Sequence, residues 1–319
     1  MRNITALKVL VIIIIVFNAN YLYSQETGSN NYSFSISPHF GMIYGQSFEL
    51  VYPLPSETKS DLLSELIWDM KPVFYTGIQA DFGRSDIMSG IGFFSSLSIK
   101  AGIPTVSGRM EDRDWTNPAN NNLTHFSSHT NRTRELFLLD AAIGASIPVK
   151  SLFYLKPYIS GSWMHFAFSG RDGYYRYFIG GSWQEGTFSG EVIRYQQNWL
   201  LLAAGLSAGT RHFHPFSFEL SFQISPLTYC VGIDEHLIRS PPYTFVDLSF
   251  FGIFYEPKGS ISFSLNRVEL SLEAAWRFID RTKGETFVKI GDSGFYMSGN
   301  KAGSGLSLLD ARFLVRIFL

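Results

Sequence analysis

Long runs of two-residue alternation constrain this chain more than anything else in it. In LLSELIWDMKPVFYTGIQADF, residues 62–82, one parity carries Leu62, Leu66, Trp68, Met70, Phe74, Ile78 and Phe82. The other carries Glu65, Asp69, Lys71, Gln79 and Asp81. In RVELSLEAAWRF, Val268, Leu270, Leu272, Ala274, Trp276 and Phe278 oppose Glu269, Ser271, Glu273 and Arg277. At the C-terminus Ala311, Phe313, Val315, Ile317 and Leu319 oppose Arg312 and Arg316. Period two means strands, and each run outlasts the roughly 5–6 residues of a common globular strand. Long strands with one apolar and one charged face fit a barrel with lipid outside and a polar lumen inside. The expected fold is all-β: a transmembrane antiparallel up-and-down β-barrel of about ten long strands extending beyond the outer membrane. A secreted β-sandwich is the alternative, and it would use shorter strands and fewer aromatics.

Composition agrees with the barrel. Charged residues make up 17% of the 319 positions, where a soluble domain has about 25%. Aromatics reach 16%, with 29 Phe and 16 Tyr. A formal net charge of −1 gives no global field to draw nucleic acid or anionic lipid. Cys230 is the only cysteine, which excludes an internal disulfide and a cysteine-based zinc site. Near the N-terminus, Arg2 and Lys8 precede an apolar core from Val9 to Phe17. That core is too short to span a bilayer and suits a secretory signal. A cut near Ser24 divides the chain into a signal peptide, 1–24, and a single barrel domain, 25–319.

The strand cues fall near 32–53, 62–82, 87–105, 133–148, 153–170, 188–208, 215–232, 243–256, 260–280 and 304–319. Tight joints such as FGRSD, PVKSL, RHFHP and EPKG alternate with long polar ones at 54–61, 106–132, 171–187, 233–242 and 281–303. Outer-membrane barrels alternate short periplasmic turns with long external loops in this way. Two acidic stretches, RMEDRDW and GIDEHLIRSPPY, then follow the third and seventh strands and share the external end.

In an extended chain, residues two apart share a face. Asp112 and Asp114 therefore point together, with Glu111 and Arg113 opposed. Asp234 and His236 point together, with Glu235 opposed. An Asp beside a His fixes the imidazole's tautomer and stabilises the imidazolium after proton uptake. A carboxylate pair helps hold a water and raises the pKa of one member. Together such groups can activate water against an acyl carbon. Each motif alone is weak, because a lone D-x-D in a polar loop is usually just solvated. Spacing alone also leaves a metal site open, since Asp and His are both ligands.

The chain resembles the omptin family of outer-membrane endopeptidases. The resemblance rests on MEDRDW at 110–115, IDEH at 233–236, FELVY at 48–52, LSELIWDM at 63–70 and TKGET at 282–286. It covers essentially the whole chain after the signal. It implies a ten-stranded barrel with an active site at the extracellular rim and polypeptide substrates at the cell surface. It further implies that Asp112 and His236 activate a water between them, that Asp234 orients His236, and that Asp114 supports Asp112. No cofactor and no metal is implied beyond a possible dependence on lipopolysaccharide or another outer-membrane lipid.

The chain departs from that pattern at its substrate pockets. Omptins typically cut between two basic residues, using acidic side chains on both sides of the scissile bond. Glu49 matches one acid of the pocket before the cut, but the second acid's position holds Gly232. In the pocket after the cut, His125 stands where an acid is expected. One lost charged hydrogen bond costs roughly 1.5–3 kcal/mol, so basic specificity before the cut is expected but weakened. In SWMHFAFSGRDG, Trp163 and His165 replace charged residues expected to hold lipid. The competing reading is a non-catalytic barrel serving as an adhesin or binding protein.

Overall fold

The computed structural model describes residues 32–54, 57–85, 90–149, 153–210 and 215–319. The expected signal peptide lies outside the described residues.

Among the described residues there are thirteen antiparallel strands and no helix. They are β1 (Tyr32–Tyr52), β2 (Ser64–Ser85), β3 (Gly92–Gly102), β4 (Thr105–Asp114), β5 (His125–Val149), β6 (Phe153–Ile179) and β7 (Ser182–Thr210). The rest are β8 (Phe216–His236), β9 (Tyr243–Phe250), β10 (Phe254–Leu265), β11 (Val268–Ile279), β12 (Lys283–Ile290) and β13 (Tyr296–Phe318). Three ring positions are each split in two. β3 and β4 both pair with β2 and β5. β9 and β10 both pair with β8, and β11 and β12 both pair with β13. The result is a ring of ten, closed where β1 meets β13. Closure leaves no free sheet edge, which a chain surrounded by hydrocarbon requires.

The outer wall carries the apolar parity. Phe137, Leu139 and Ile143 on β5, Leu200, Leu202 and Leu206 on β7, and Leu220, Phe222 and Ile224 on β8 are all exposed. The charged parity fills the lower lumen with paired groups. Arg312 meets Glu273 at 2.6 Å, Arg316 meets Glu269 at 2.5 Å, and Arg277 lies 2.9 Å from Asp140 and 2.5 Å from Glu256. A buried charge persists when it is paired in this way. Among these paired groups the lower lumen keeps a cavity of about 550 Å³. A layer of aromatic rings closes the lumen above. Trp68 stacks on Phe168 and Tyr195 at centroid distances of 5.5 and 5.4 Å, joining strands from opposite sides of the ring.

Three sequence expectations need correction. The alternation over 62–82 is not one continuous face. Leu66, Trp68 and Met70 are buried in the lumen, whereas Phe74 and Ile78 are exposed outside. β2 sets two residues, Lys71 and Pro72, opposite the single Tyr44 of β1, and this bulge in β2 reverses its parity. The EPKG turn does not exist, because Pro257 and Gly259 lie inside β10, paired with Phe222 and Leu220. The chain turns instead at Asn266, whose φ of 52° suits a tight hairpin. Finally, the polar segments around 106–132, 171–187 and 281–303 are mostly strand. β6 and β7 meet in a two-residue turn at Gly180 and Gly181, both at positive φ. These extensions clear the apolar band, so both their faces can be polar, and composition alone made them look like loops.

Candidate active site at the barrel rim

The extensions build the site. Met110 on β4 is buried in the core, and its parity carries Asp112 and Asp114 inward at the end of the strand. Arg113 points the other way and pairs with Glu111 at 2.5 Å. On β8, buried Cys230 sets the same inward parity for Gly232, Asp234 and His236. β4 and β8 occupy the third and seventh ring positions and face each other across the mouth. The acid pair thus stands on strand, not in a loop.

His236 Nε2 lies 2.6 Å from Asp234 Oδ2. Asp234 is 2% exposed, so this contact is shielded from water. With the Nε2 proton donated to Asp234, the Nδ1 lone pair is the free base of the ring. The imidazole is steadied by Phe245, edge-on at 5.5 Å.

The opposing pair is electrostatically frustrated. Burial holds the Asp112 carboxyl well above the usual carboxylate range, and the charges of Asp114 and Asp234 push it further. Arg239 and a hydrogen bond from Ser64 act in the opposite direction, with the Ser64 hydroxyl donating to Asp112 Oδ1 at 3.5 Å. Asp114 is also raised, chiefly by burial, against the pull of Ser64, His125, His236 and Arg239. Asp234 acts on Asp112 and His236 on Asp114 across the mouth. Tyr177 sits beside the pair; burial, then the negative charges of Asp112 and Asp114, push its phenol up to about 12.

The expected pocket residues fall around this centre. Glu49 on β1 is 3% exposed. Burial raises its carboxyl first, and Asp234, Asp247 and Asp112 add to the shift. His125 opens β5 opposite Asp114, with its ring 4.9 Å from that of Tyr177. Gly232 lies opposite Asp247 of β9. Asp247 and Arg239 escaped the sequence reading. Asp247 is the lone acid in YTFVDLSF, a run read only as strand, and its inward parity was the available signal. Arg239 lies three residues beyond His236 in a stretch where only the acids and the histidine drew notice. No group of three or more His, Cys, Asp or Glu side chains among the described residues is spaced to hold a metal ion.

On the outer wall, Trp163 is exposed and stacks near His165 at 6.2 Å. His165 Nε2 lies 3.6 Å from Glu135, and its Nδ1 lies 2.8 Å from Asn198 Oδ1.

Comparison with known proteins now places the chain. The sequence model of the Omptin family matches residues 30–310. The plasminogen activator of Yersinia pestis is 26% identical over 215 residues, or 65% of this chain and 64% of the relative. The chain thus spans somewhat less than two thirds of that curated relative's length. The crystal structure of outer membrane protease OmpT from Escherichia coli superposes with a TM-score of 0.77 at 18% identity, covering 92% of this chain and 99% of that one; this likeness establishes the fold. With the family pattern running through nearly the whole barrel, the chain belongs to the omptin family of outer-membrane β-barrels.

Proposed function

We propose that this protein is a surface endopeptidase that hydrolyses peptide bonds with a water held between Asp112 and His236. One observation carries the reading: the shielded 2.6 Å contact between His236 and Asp234, facing a buried carboxylate pair on which both residues act. His236 Nδ1 takes a proton from the water as its oxygen attacks the carbonyl carbon. Asp234 stabilises the imidazolium so formed. As the carbon–nitrogen bond breaks, the imidazolium returns that proton to the leaving amine. Asp112 holds the water from the other side. Asp114 supports Asp112 and raises its proton affinity.

Substrates on this reading are exposed polypeptides at the cell surface, with an Arg or Lys before the cut held by Glu49. His125 lines the pocket after the cut, where it offers no carboxylate to a basic residue. Lipopolysaccharide or another outer-membrane lipid would bear on the outer wall around Trp163 and His165, beside Glu135.

The test is cleavage of a mixed peptide library by the refolded barrel in detergent, with and without lipopolysaccharide, read by mass spectrometry. His236→Ala and Asp112→Ala serve as controls. Cuts that vanish in both variants support the peptidase. A folded barrel that cuts nothing under either lipid condition favours the adhesin or binding reading.

A further inference from the structure

The pocket before the cut lacks an acid at position 232, yet its charge is not missing. Gly232 and Asp247 are direct partners in the β8–β9 ladder. A Cβ added at 232 would lie 3.4 Å from Asp247 Cβ and 3.2 Å from the Tyr195 hydroxyl. An aspartate there would set its carboxylate against the space that Asp247 uses. The two positions are alternative sources of one negative charge, and in this chain the neighbouring strand supplies it.

Asp247 is 3% exposed, and its Oδ1 has no hydrogen-bond partner. Glu49 is equally buried, and its Oε2 is likewise without a partner. Buried carboxylate oxygens normally find donors. Both groups respond to the charge of Asp234, which places them beside the dyad. Below them lies a built floor. Gln197 Nε2 donates to the Tyr195 hydroxyl at 2.9 Å, and Ser47 and Trp199 donate to Gln197 Oε1 at 2.6 and 2.9 Å. The floor's polar groups satisfy one another and leave those two carboxyl oxygens unpaired. A guanidinium or ammonium group is the complement of two such carboxylates, and a planar guanidinium with five donors answers both unpaired oxygens.

We propose that Asp247, acting with Glu49, is a specificity-determining residue that binds the side chain of an arginine or lysine immediately before the scissile bond, in place of the carboxylate absent at position 232. This rests on the peptidase reading above.

The test compares kcat/KM on two matched peptides that differ only in Arg or Gln before the cut, using the full barrel in detergent. Asp247→Asn is nearly isosteric and leaves the fold's packing volume unchanged. The expected result is a wild-type preference for Arg that collapses by about 10-fold to 100-fold in Asp247→Asn, the size of one lost charged hydrogen bond. An equal loss on both peptides overturns the proposal while leaving the peptidase intact. A wild-type enzyme that cuts both peptides equally overturns the basic pocket and this proposal together, and again leaves the peptidase standing. A second measurement needs no turnover. In the His236→Ala barrel, agmatine, a free alkyl guanidinium, should raise the thermal unfolding midpoint, and adding Asp247→Asn should abolish that rise. An agmatine effect that survives Asp247→Asn overturns the assignment.

Discussion

Asp234 commits one carboxylate oxygen to His236 at 2.6 Å and leaves the other, Oδ1, buried without a hydrogen-bond partner. The first oxygen fixes the ring. The second keeps negative charge inside the mouth, where it acts on Asp112, Glu49 and Asp247. Replacing Asp234 by Asn keeps the shape and removes both effects. We expect kcat to fall by about 10²-fold to 10⁴-fold with little change in KM. Steady-state kinetics on a single peptide checks this, and a loss confined to KM would contradict the orienting role.

Asp114 should set the acid limb of the pH profile. Its charge is the largest influence after burial that holds the Asp112 carboxyl up. A raised carboxyl keeps its proton to higher pH, so the ionised form needed to hold the water is lost earlier as pH falls. Asp114→Asn removes that charge and lowers the Asp112 pKa. The acid limb of kcat/KM should then move to lower pH. A limb that stays in place would assign it to another group.

Asp247 links stability to pH. Its carboxyl is raised from 3.8 to about 7, first by burial and then by the charge of Asp234, against the pull of the Thr286 hydroxyl. A folded-state pKa above the unfolded one means that the folded barrel binds a proton the unfolded chain does not. Stability is therefore greatest below the unfolded value and declines as pH rises toward about 7. The loss amounts to at most about 4 kcal/mol for this group. Urea unfolding in detergent at pH 5 and pH 8 should show the barrel more stable at pH 5. Asp247→Asn should shrink the difference. Glu49, raised chiefly by burial, acts with the same sign.

Trp68 ties the aromatic layer beneath the site together. It is fully buried and stacked on both Phe168 and Tyr195. Trp68→Ala should lower the unfolding free energy by about 3–5 kcal/mol. Denaturant unfolding measured in the same detergent reads this directly. A loss below about 1 kcal/mol would mean that the layer collapses around the gap.

Much of the barrel is legible in the sequence, because a membrane wall imposes the same demand at every level. Leu270, Leu272 and Trp276 alternate with Glu269, Glu273 and Arg277, since one side of β11 must meet hydrocarbon and the other must pair charges. The pairing of Arg312 with Glu273 and of Arg316 with Glu269 follows from the same parity. The shared face of Asp112 and Asp114, and that of Asp234 and His236, also follow from strand geometry alone.

Tertiary structure decided the rest. The parity reversal between Met70 and Phe74 arises from a bulge in β2 at Lys71 and Pro72; Pro72 is compatible with a bulge, but only the pairing with β1 shows that one is there. The strands above the membrane read as loops because their faces need not contrast once lipid is gone; only pairing with neighbours shows them to be strands. The meeting of Gly232 with Asp247 depends on the β8–β9 register, a relation between residues fifteen apart in sequence. The alternation of the chain thus determined that it forms a barrel and, along uninterrupted strands such as β11, which side chains look inward. The register of the closed ring decided which inward side chains meet, because each cross-strand neighbour is set by pairing along the whole ladder and not by the residues beside it.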